Sequence, residues 1–182
     1  MDANKLLELY AIGEREFFRA NLHQANLYAV DLSGANFTEA DLSGANLSQA
    51  NLIGCNLSRA NLTDADLSGA NLSDANLSEV NLIGADLIRA NLKDSNLNRA
   101  DLRTATLILA NLFHANLSEA EMSGADLSGA NLKQANLIGS NVIEAELKGA
   151  DFLEAMITEQ EITGRVLRLS ISHRWITWAG CH

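Results

Sequence analysis

The sequence contains no proline and few aromatic or basic residues, and these shortages exclude some classes of protein. Aromatic residues make up 5% of the 182 residues, and 13 lysines and arginines are outnumbered by 23 aspartates and glutamates, for a formal net charge of −10. A nucleic-acid-binding protein needs clustered lysine and arginine to neutralise phosphates. We therefore expect no direct binding of nucleic acid.

Long apolar runs and cysteines are also scarce. No segment approaches the roughly 20 consecutive apolar residues of a membrane-spanning helix, so no transmembrane segment is predicted. The first twenty residues contain four acidic residues, which predicts that they are not a signal peptide. Cys55 and Cys181 are too few for a disulfide framework, so we expect a reducing, cytoplasmic location.

One five-residue pattern fills most of the chain. From Ala20 to Glu154 the sequence divides into 27 consecutive units without an insertion or deletion. The first position is Ala in 22 units, the second is Asn in 17 and Asp in 7, and the third is Leu in 23. Positions four and five vary and are mostly Ser, Gly and charged residues. This regularity predicts a single repeat array with a continuous core.

A period of five matches neither the 3.6-residue period of a helix nor the two-residue period of a strand. Positions one and three are two residues apart, so on a short extended segment their side chains point the same way. Both are apolar and are predicted to point inward, while the remaining positions hold Asn, Asp, Ser and Gly, which favour turns. The pattern predicts coils that stack at about 4.8 Å, with an inner ladder of Leu side chains.

The Ala-(Asn/Asp)-Leu-x-x pattern, as in Ala40-Asp41-Leu42-Ser43-Gly44, closely resembles the pentapeptide-repeat proteins, which are abundant in bacteria and especially in cyanobacteria. The resemblance covers about three quarters of the chain. It implies an all-β solenoid, a right-handed quadrilateral β-helix with four units per coil and therefore about seven coils from 27 units. The central Leu and the preceding Ala are then expected inside.

Four units per coil would place residues twenty positions apart directly above one another. One outer column then alternates in charge and consists of Glu39, Arg59, Glu79, Arg99 and Glu119. Opposite charges on adjacent strands stabilise each other. We interpret this column as a solvated surface that avoids stacking like charges.

We expect a separate covering segment at each end of the array, because an open edge of stacked coils promotes aggregation unless it is covered. Residues 1–14 are predicted as an N-terminal helical cap, in which Asp2 caps the helix and Gly13 ends it. The apolar face of this helix is predicted to contain Ala3, Leu6, Leu7, Tyr10 and Ala11. An amphipathic membrane anchor is the alternative, but it would need a more basic polar face.

Residues 15–159 are predicted as the β-helix and residues 160–182 as a C-terminal cap or interaction tail. In this tail arginines replace acidic residues, and both tryptophans of the chain, Trp175 and Trp178, lie there. Residues 166–171 could form a strand over the last coil. Because Trp and Arg are favoured at protein interfaces, the tail could instead join two copies as a homodimer.

No catalytic, cofactor-binding or metal-binding residue is predicted. The chain shows no Ser-His-Asp arrangement and no repeated spacing of metal ligands. Cys55 occupies an inward position that is otherwise mostly Ala, so we interpret it as a small core residue. The Asn-rich second position is interpreted as a folding feature, in which the side chain bonds its own turn and the next side chain along the column.

Apolar residues at outward positions are the clearest surface feature. The candidate interaction surface consists of Ile83, Ile88, Ile108, Leu109 and Phe113, together with Trp175 and Trp178 in the tail. A clustered apolar patch is typical of a contact surface, although side-chain pairing that stiffens the coils is an alternative explanation. The leading hypothesis is a non-enzymatic, rigid scaffold for an unidentified protein partner.

Two other functions stay open. Some pentapeptide-repeat proteins, of the quinolone-resistance type, dimerise into an acidic rod that occupies the DNA-binding groove of DNA gyrase, so the resemblance implies DNA mimicry as an alternative. The sign of the charge fits, but B-DNA carries about one charge per 1.7 Å, and no side of the predicted coil is strongly acidic. A structural spacer at a membrane or envelope assembly is the third hypothesis, because paired Trp residues suit a membrane interface.

Overall fold

The computed structural model describes residues 1–157 and residues 177–178. These residues form one helix, α1 (Ala3–Ala11), and two short parallel strands, β1 (Met156–Ile157) and β2 (Thr177–Trp178). The array itself is held by 25 isolated parallel bridges, and each of them joins residues twenty positions apart. Four five-residue units therefore separate each bridged residue from its partner.

The bridges sort the units into four columns. We name each column after the second-position residue of its first unit: the Glu16, Asn21, Asn26 and Asp31 columns. In the Asn21 column, the N–H of Leu22 donates to the carbonyl of Asp41 at 2.7 Å, and the N–H of Asp41 donates to the carbonyl of Ala20 at 2.9 Å. This exchange recurs along each column and ties successive units together through the backbone.

The core consists of the first- and third-position side chains, as the sequence predicts. From Ala35 to Leu137, none of these residues is more than 2% exposed. Cys55 is one of them, and its thiol donates to the carbonyl of Leu32 at 3.0 Å. Ser95 also fits inside because its hydroxyl donates to the carbonyl of Leu92 at 2.7 Å, which satisfies a buried polar group.

Each unit ends in a tight turn at positions four and five. The N–H of the following first-position residue donates to the third-position carbonyl, as from Ala45 to Leu42 at 3.0 Å. All 28 fifth positions from Arg19 to Glu154 have positive φ, although 19 of them are not glycine. Positive φ at the third residue of a four-residue turn is typical of a type II turn. The repeated hydrogen bonds therefore hold many residue types in a conformation that usually favours glycine.

Helix α1 begins and ends as predicted. The Asp2 side chain accepts a hydrogen bond from the N–H of Lys5 at 2.8 Å, and Gly13 follows the helix with φ +98°. Leu6 is fully buried, whereas Ala11, which was predicted on the apolar face, is exposed. Its place is taken by Leu9, since the helix packs against the array through Ala3, Leu7, Leu9 and Tyr10.

The same helix also binds polar groups of the first coil. The Tyr10 hydroxyl donates to the carbonyl of Ser33 at 2.9 Å, and the N-terminal ammonium donates to the carbonyl of Asn21 at 3.0 Å. Phe17 and Phe37 stack with ring centroids 5.4 Å apart and belong to the same core cluster as Leu6 of the helix. The helix thus covers backbone groups and apolar side chains at this end of the array.

At the other end, β2 continues the stack with a changed step. Met156 bridges Asn136 on one side, and it pairs with Thr177 on the other, while Ile157 pairs with Trp178. The step from 156 to 177 is 21 residues, one more than the step inside the array. Trp175 and the strand predicted at residues 166–171 lie outside the described residues.

Candidate interaction surface

The second-position side chains hold the outer surface in place. In the Asn21 column, Oδ1 of Asp41 accepts hydrogen bonds from the hydroxyl of Ser43 at 2.6 Å and from its N–H at 3.1 Å. These bonds stabilise the carboxylate, so the pKa of Asp41 lies below its usual range. The N–H and hydroxyl of Ser33 lower the pKa of Asp31 in the same way. Each such bond fixes the turn that presents positions four and five.

Three columns also carry hydrogen bonds between second-position side chains. In the Asp31 column, Nδ2 of Asn111 donates to Oδ1 of Asn91, and Nδ2 of Asn131 donates to Oδ1 of Asn111, both at 2.9 Å. The Glu16 and Asn21 columns contain the same kind of bond, for example from Asn116 to Asn96 at 3.1 Å and from Asn61 to Asp41 at 3.3 Å. These bonds confirm the predicted folding role of the Asn-rich position.

The Asn26 column differs, because its described second-position side chains form no such ladder. In order they are Asn26, Asn46, Asp66, Asp86, Thr106, Asp126 and Glu146. Asp66 and Asp86 are direct bridge partners. Each of the four carboxylates accepts the N–H of the residue two positions later: Ser68, Ile88, Ser128 and Lys148. Within residues 1–157, none of the four takes part in an ion pair.

The predicted column of alternating charge lies in the Glu16 column and forms separate pairs. Nε of each arginine lies close to a carboxylate oxygen: 2.7 Å for Arg19–Glu39, 3.2 Å for Arg59–Glu79 and 2.8 Å for Arg99–Glu119. Glu39 thus pairs with Arg19, a residue outside the predicted set. The hydrogen bond and charge of Glu79 raise the pKa of Arg59. This column is therefore neutralised by ion pairs along its length.

Carboxylates in the other two columns also have basic neighbours. Asp101 binds Arg103 at 2.7 Å in the Asn21 column. In the Asp31 column, Asp94 contacts the His114 ring nitrogen at 2.6 Å, which lowers the pKa of Asp94, and Lys133 lies 3.1 Å from Asp151. Every column except the Asn26 column therefore contains at least one ion pair among the described residues.

The predicted apolar residues divide among three columns. Ile88, Ile108 and Leu109 belong to the Asn26 column, where the Asp86–Thr106 bridge places Ile88 and Ile108 one above the other. Leu109 is 49% exposed, and the two isoleucines are half-buried. Ile83 and Phe113 are also half-buried, but they belong to the neighbouring Asn21 and Asp31 columns.

The candidate surface also includes two residues of the tail, Trp175 and Trp178. The backbone of Trp178 lies in β2, opposite Ile157. Trp175 lies outside the described residues.

Some surface features were missed from the sequence. Phe18, Tyr28 and Ile143 are 50%, 59% and 55% exposed, but single exposed apolar residues carry little signal on any surface. The run of carboxylates in the Asn26 column was readable by taking the second position of every fourth unit from Asp66 onward. In the net charge of the whole column, Arg89 and Lys148 offset two of these four carboxylates and hide the run.

Stacked five-residue units with a small and a large inward side chain define a repeat solenoid. A family model for pentapeptide repeats matches this chain in eight copies, and the residues matched run without a gap from 16 to 159. The chain belongs to the pentapeptide repeat family.

Several solved structures are similar to this chain. HetL, a pentapeptide repeat protein involved in heterocyst differentiation regulation from the cyanobacterium Nostoc sp. strain PCC 7120, is 32% identical, with 86% of this chain and 97% of HetL covered and a TM-score of 0.49. Rfr23 from the cyanobacterium Cyanothece 51142 is 29% identical, with 82% and 97% covered and a TM-score of 0.26. QnrB1, a plasmid-mediated fluoroquinolone resistance protein, is 19% identical, with 88% and 89% covered and a TM-score of 0.46. No curated protein matches the chain.

Two further properties concern the described part of the chain alone. Its helix is too short to cross a membrane. Its His, Cys, Asp and Glu side chains form no group of three or more that could hold a metal ion.

Proposed function

We propose that this protein is a non-enzymatic, cytoplasmic interaction scaffold. In this proposal a rigid right-handed quadrilateral β-helix of about seven coils presents fixed outward side chains to a protein partner. The observation that carries the proposal is the combination of a uniform frame with a variable surface. Positions one and three are almost all buried Ala and Leu, while positions four and five vary on turns that all share positive φ at position five.

Rigidity is what makes such a surface useful for binding. Association costs free energy because side chains and loops lose conformational freedom, and a surface that is already ordered loses less. The turns supply that order through bonds such as those from Ser48 to Asn46, at 3.0 Å from the N–H and 2.6 Å from the hydroxyl. A partner would therefore meet preorganised side chains.

The proposed contact region is the apolar set on the array, with the tail as a second element. It contains Ile83, Ile88, Ile108, Leu109, Phe113, Trp175 and Trp178. Apolar groups clustered on adjoining columns are typical of contact surfaces. The tail would add Trp and Arg, which are favoured as interface anchors.

Site-specific photocrosslinking in the native cells tests this function. A photoreactive residue at Leu109 is expected to capture one discrete protein, and the same residue at Ser58 in the Glu16 column serves as a matched outward control. If neither position, nor a third at Phe113, captures any protein, the scaffold function is wrong.

DNA mimicry is a second candidate, supported by the net charge of −10. The ion pairs of the Glu16 column count against it, because a phosphate-like surface would not neutralise its own carboxylates. A supercoiling assay with purified DNA gyrase tests it. Inhibition of supercoiling at micromolar concentrations of this protein would support DNA mimicry, and full gyrase activity at those concentrations would contradict it.

Dimerisation through the tail is tested separately by light scattering on the full chain and on a Trp175→Ser, Trp178→Ser variant. A dimeric parent and a monomeric variant would support association through the tail. If the parent and the variant have the same mass in solution, association through the tail is contradicted.

A further inference from the structure

We propose that the Asn26 column is the docking surface for a basic amphipathic helix of a partner protein. This inference rests on the proposed scaffold function and narrows it to one column and one chemical class of partner. It combines three observations: carboxylates without ion pairs, an apolar strip beside them, and a spacing that suits a helix.

The carboxylates of this column are the first observation. Asp66, Asp86, Asp126 and Glu146 each use one oxygen to accept the N–H of their own turn. No ladder amide and no cation among residues 1–157 binds the second oxygen of these side chains. The column contains two bases, yet neither Arg89 nor Lys148 forms an ion pair with them. Four oriented acceptors are thus open to lysines and arginines of a partner, which bind carboxylates through charge-assisted hydrogen bonds.

The apolar strip is the second observation. Ile88 and Ile108 stack at position four of this column, and Leu109 adjoins them at 49% exposure. Beyond Leu109, the fifth positions are Gly129 and Gly149, which add no side chain above the surface. A partner can therefore approach this edge closely and cover the strip, which gains hydrophobic free energy that a purely charged surface would not supply.

Spacing is the third observation. From Asp66 to Glu146 the column takes four steps, or about 19 Å at the usual strand separation of about 4.8 Å. A helix covers that length in about 13 residues, and its neighbours at i, i+3 and i+4 lie about 5–6 Å apart, close to one step. Along an extended strand, side chains on one face repeat at about 6.6–6.8 Å and fall out of step. The column therefore favours a helix that lies along the rod.

The charge complementarity also sets the class of partner. Lysine or arginine would meet the carboxylates, and Leu-like side chains would meet the isoleucines. Nucleic acids and anionic membranes are repelled by the same carboxylates. The preferred occupant is a helix with bases on one edge and apolar residues on the next.

The test uses the full chain and a synthetic fluorescent peptide as the probe. The peptide is a helix-forming sequence with Lys at positions i, i+3, i+10 and i+14, which lie at about 0, 4.5, 15 and 21 Å along the helix, and with Leu on the adjoining face. A scrambled peptide of equal composition has no amphipathic face. Fluorescence anisotropy at about 0.15 M salt, where exposed charges are partly screened, should show the patterned peptide binding at least tenfold more tightly.

The charge variants introduce only a residue that the array already contains at the same position, so we expect them to fold like the parent. The variant Asp66→Asn, Asp86→Asn, Asp126→Asn removes three charges, and Asn occupies the second position in 17 units. We expect it to bind the peptide at least tenfold more weakly. The matched variant Asp31→Asn, Asp41→Asn, Asp101→Asn changes the same net charge on other columns and should change affinity less than threefold.

A second pair of variants tests the apolar strip. Ile88→Ser, Ile108→Ser places Ser where the same column has Ser48, Ser68 and Ser128, and it should weaken binding at least fivefold. Ile53→Ser, Ile143→Ser makes the same change on the two neighbouring columns, outside the proposed contact region, and should have little effect. Melting curves by circular dichroism check that all four variants are folded.

Three results would overturn the inference: equal affinity for the patterned and scrambled peptides, equal losses in the two charge variants, or equal losses in the two Ser variants. Each leaves the scaffold function standing if photocrosslinking still captures a partner. Conversely, a captured partner that is lost from the Asp66 triple variant and kept by the Asp31 triple variant supports both.

Discussion

Leu109 lies over Gly129, so that a Cβ atom added to this glycine would stand 2.8 Å from Cδ2 of Leu109. The same relationship recurs twenty residues apart elsewhere, where Glu119 lies over the place a Cβ would take on Gly139, at 3.3 Å. Glycine at the fifth position is therefore not selected by backbone conformation alone, since 19 other residues adopt the same sign of φ. At Gly129 and Gly139, room for the side chain of the preceding coil is a second reason.

Two glycine substitutions separate these reasons. Gly54→Ala meets nothing within 4 Å at φ +63°, so it should lose only the cost of a left-handed Ala, about 1–2 kcal/mol. Gly129→Ala at φ +69° carries the same backbone cost and must also displace Leu109, so it should lose more. Denaturant unfolding measures both. An equal loss in the two variants would show that the contact costs nothing.

Burial of the third position predicts a large effect for Leu92, which is fully buried. Leu92→Ala should reduce the free energy of unfolding by about 2–5 kcal/mol, because it removes apolar contacts and leaves a cavity. Ser73→Ala is the outward control and should cost no more than about 0.5–1.5 kcal/mol, because it removes only the hydrogen bond that its hydroxyl donates to Asn71 at 3.0 Å. The same unfolding measurement serves for both, and similar losses would contradict the assignment of inside and outside positions.

The hydroxyl of Ser43 should stabilise the protein in a pH-dependent way. It donates to a carboxylate whose pKa is lowered in the folded protein. Stability from a lowered carboxyl pKa is present above the unfolded value of about 3.9 and is lost as the pH falls through the folded value. Ser43→Ala should therefore destabilise the protein more at pH 7 than at pH 2.

Ser48→Ala is the matched control for that measurement. Its hydroxyl donates at the same 2.6 Å, but to the neutral side chain of Asn46. Its loss in melting temperature should be similar at both pH values. If Ser43→Ala shows the same flat profile, the carboxylate does not contribute in the way described.

Cys55 should be unreactive in the folded protein. Burial raises the pKa of its thiol to about 11, and the reactive species of a cysteine is the thiolate. In a Cys181→Ser background, Ellman's reagent at pH 8 should label no thiol until denaturant is added. Rapid labelling of the folded protein would show that the array opens locally at this coil.

The inner half of each unit could be predicted from the sequence because burial leaves little choice. Positions one and three hold a small and a large side chain that are apolar in nearly every unit, so residues such as Leu92 and Cys55 were placed correctly. The twenty-residue step followed from the resemblance and agrees with the bridges. Asp2 and Gly13 were predictable because helix caps depend on local residue type.

The outer surface was harder to predict, since several arrangements there differ by small free energies. Glu39 has an arginine on either side, and the choice of Arg19 over Arg59 depends on side-chain geometry that residue type does not reveal. Positive φ at residues such as Leu109 leaves no mark in the sequence, because the turn and its hydrogen bonds impose it. The carboxylates of the Asn26 column, by contrast, could be predicted from the sequence, because they recur at the second position of every fourth unit.

The step between stacked residues is 20 positions inside the array and 21 positions between Met156 and Thr177. Duplicating any 20-residue stretch inside the array, such as residues 60–79, would add one coil of about 4.8 Å and leave both ends unchanged. Growth of this protein by duplication is therefore modular within the array, in steps of 20 residues.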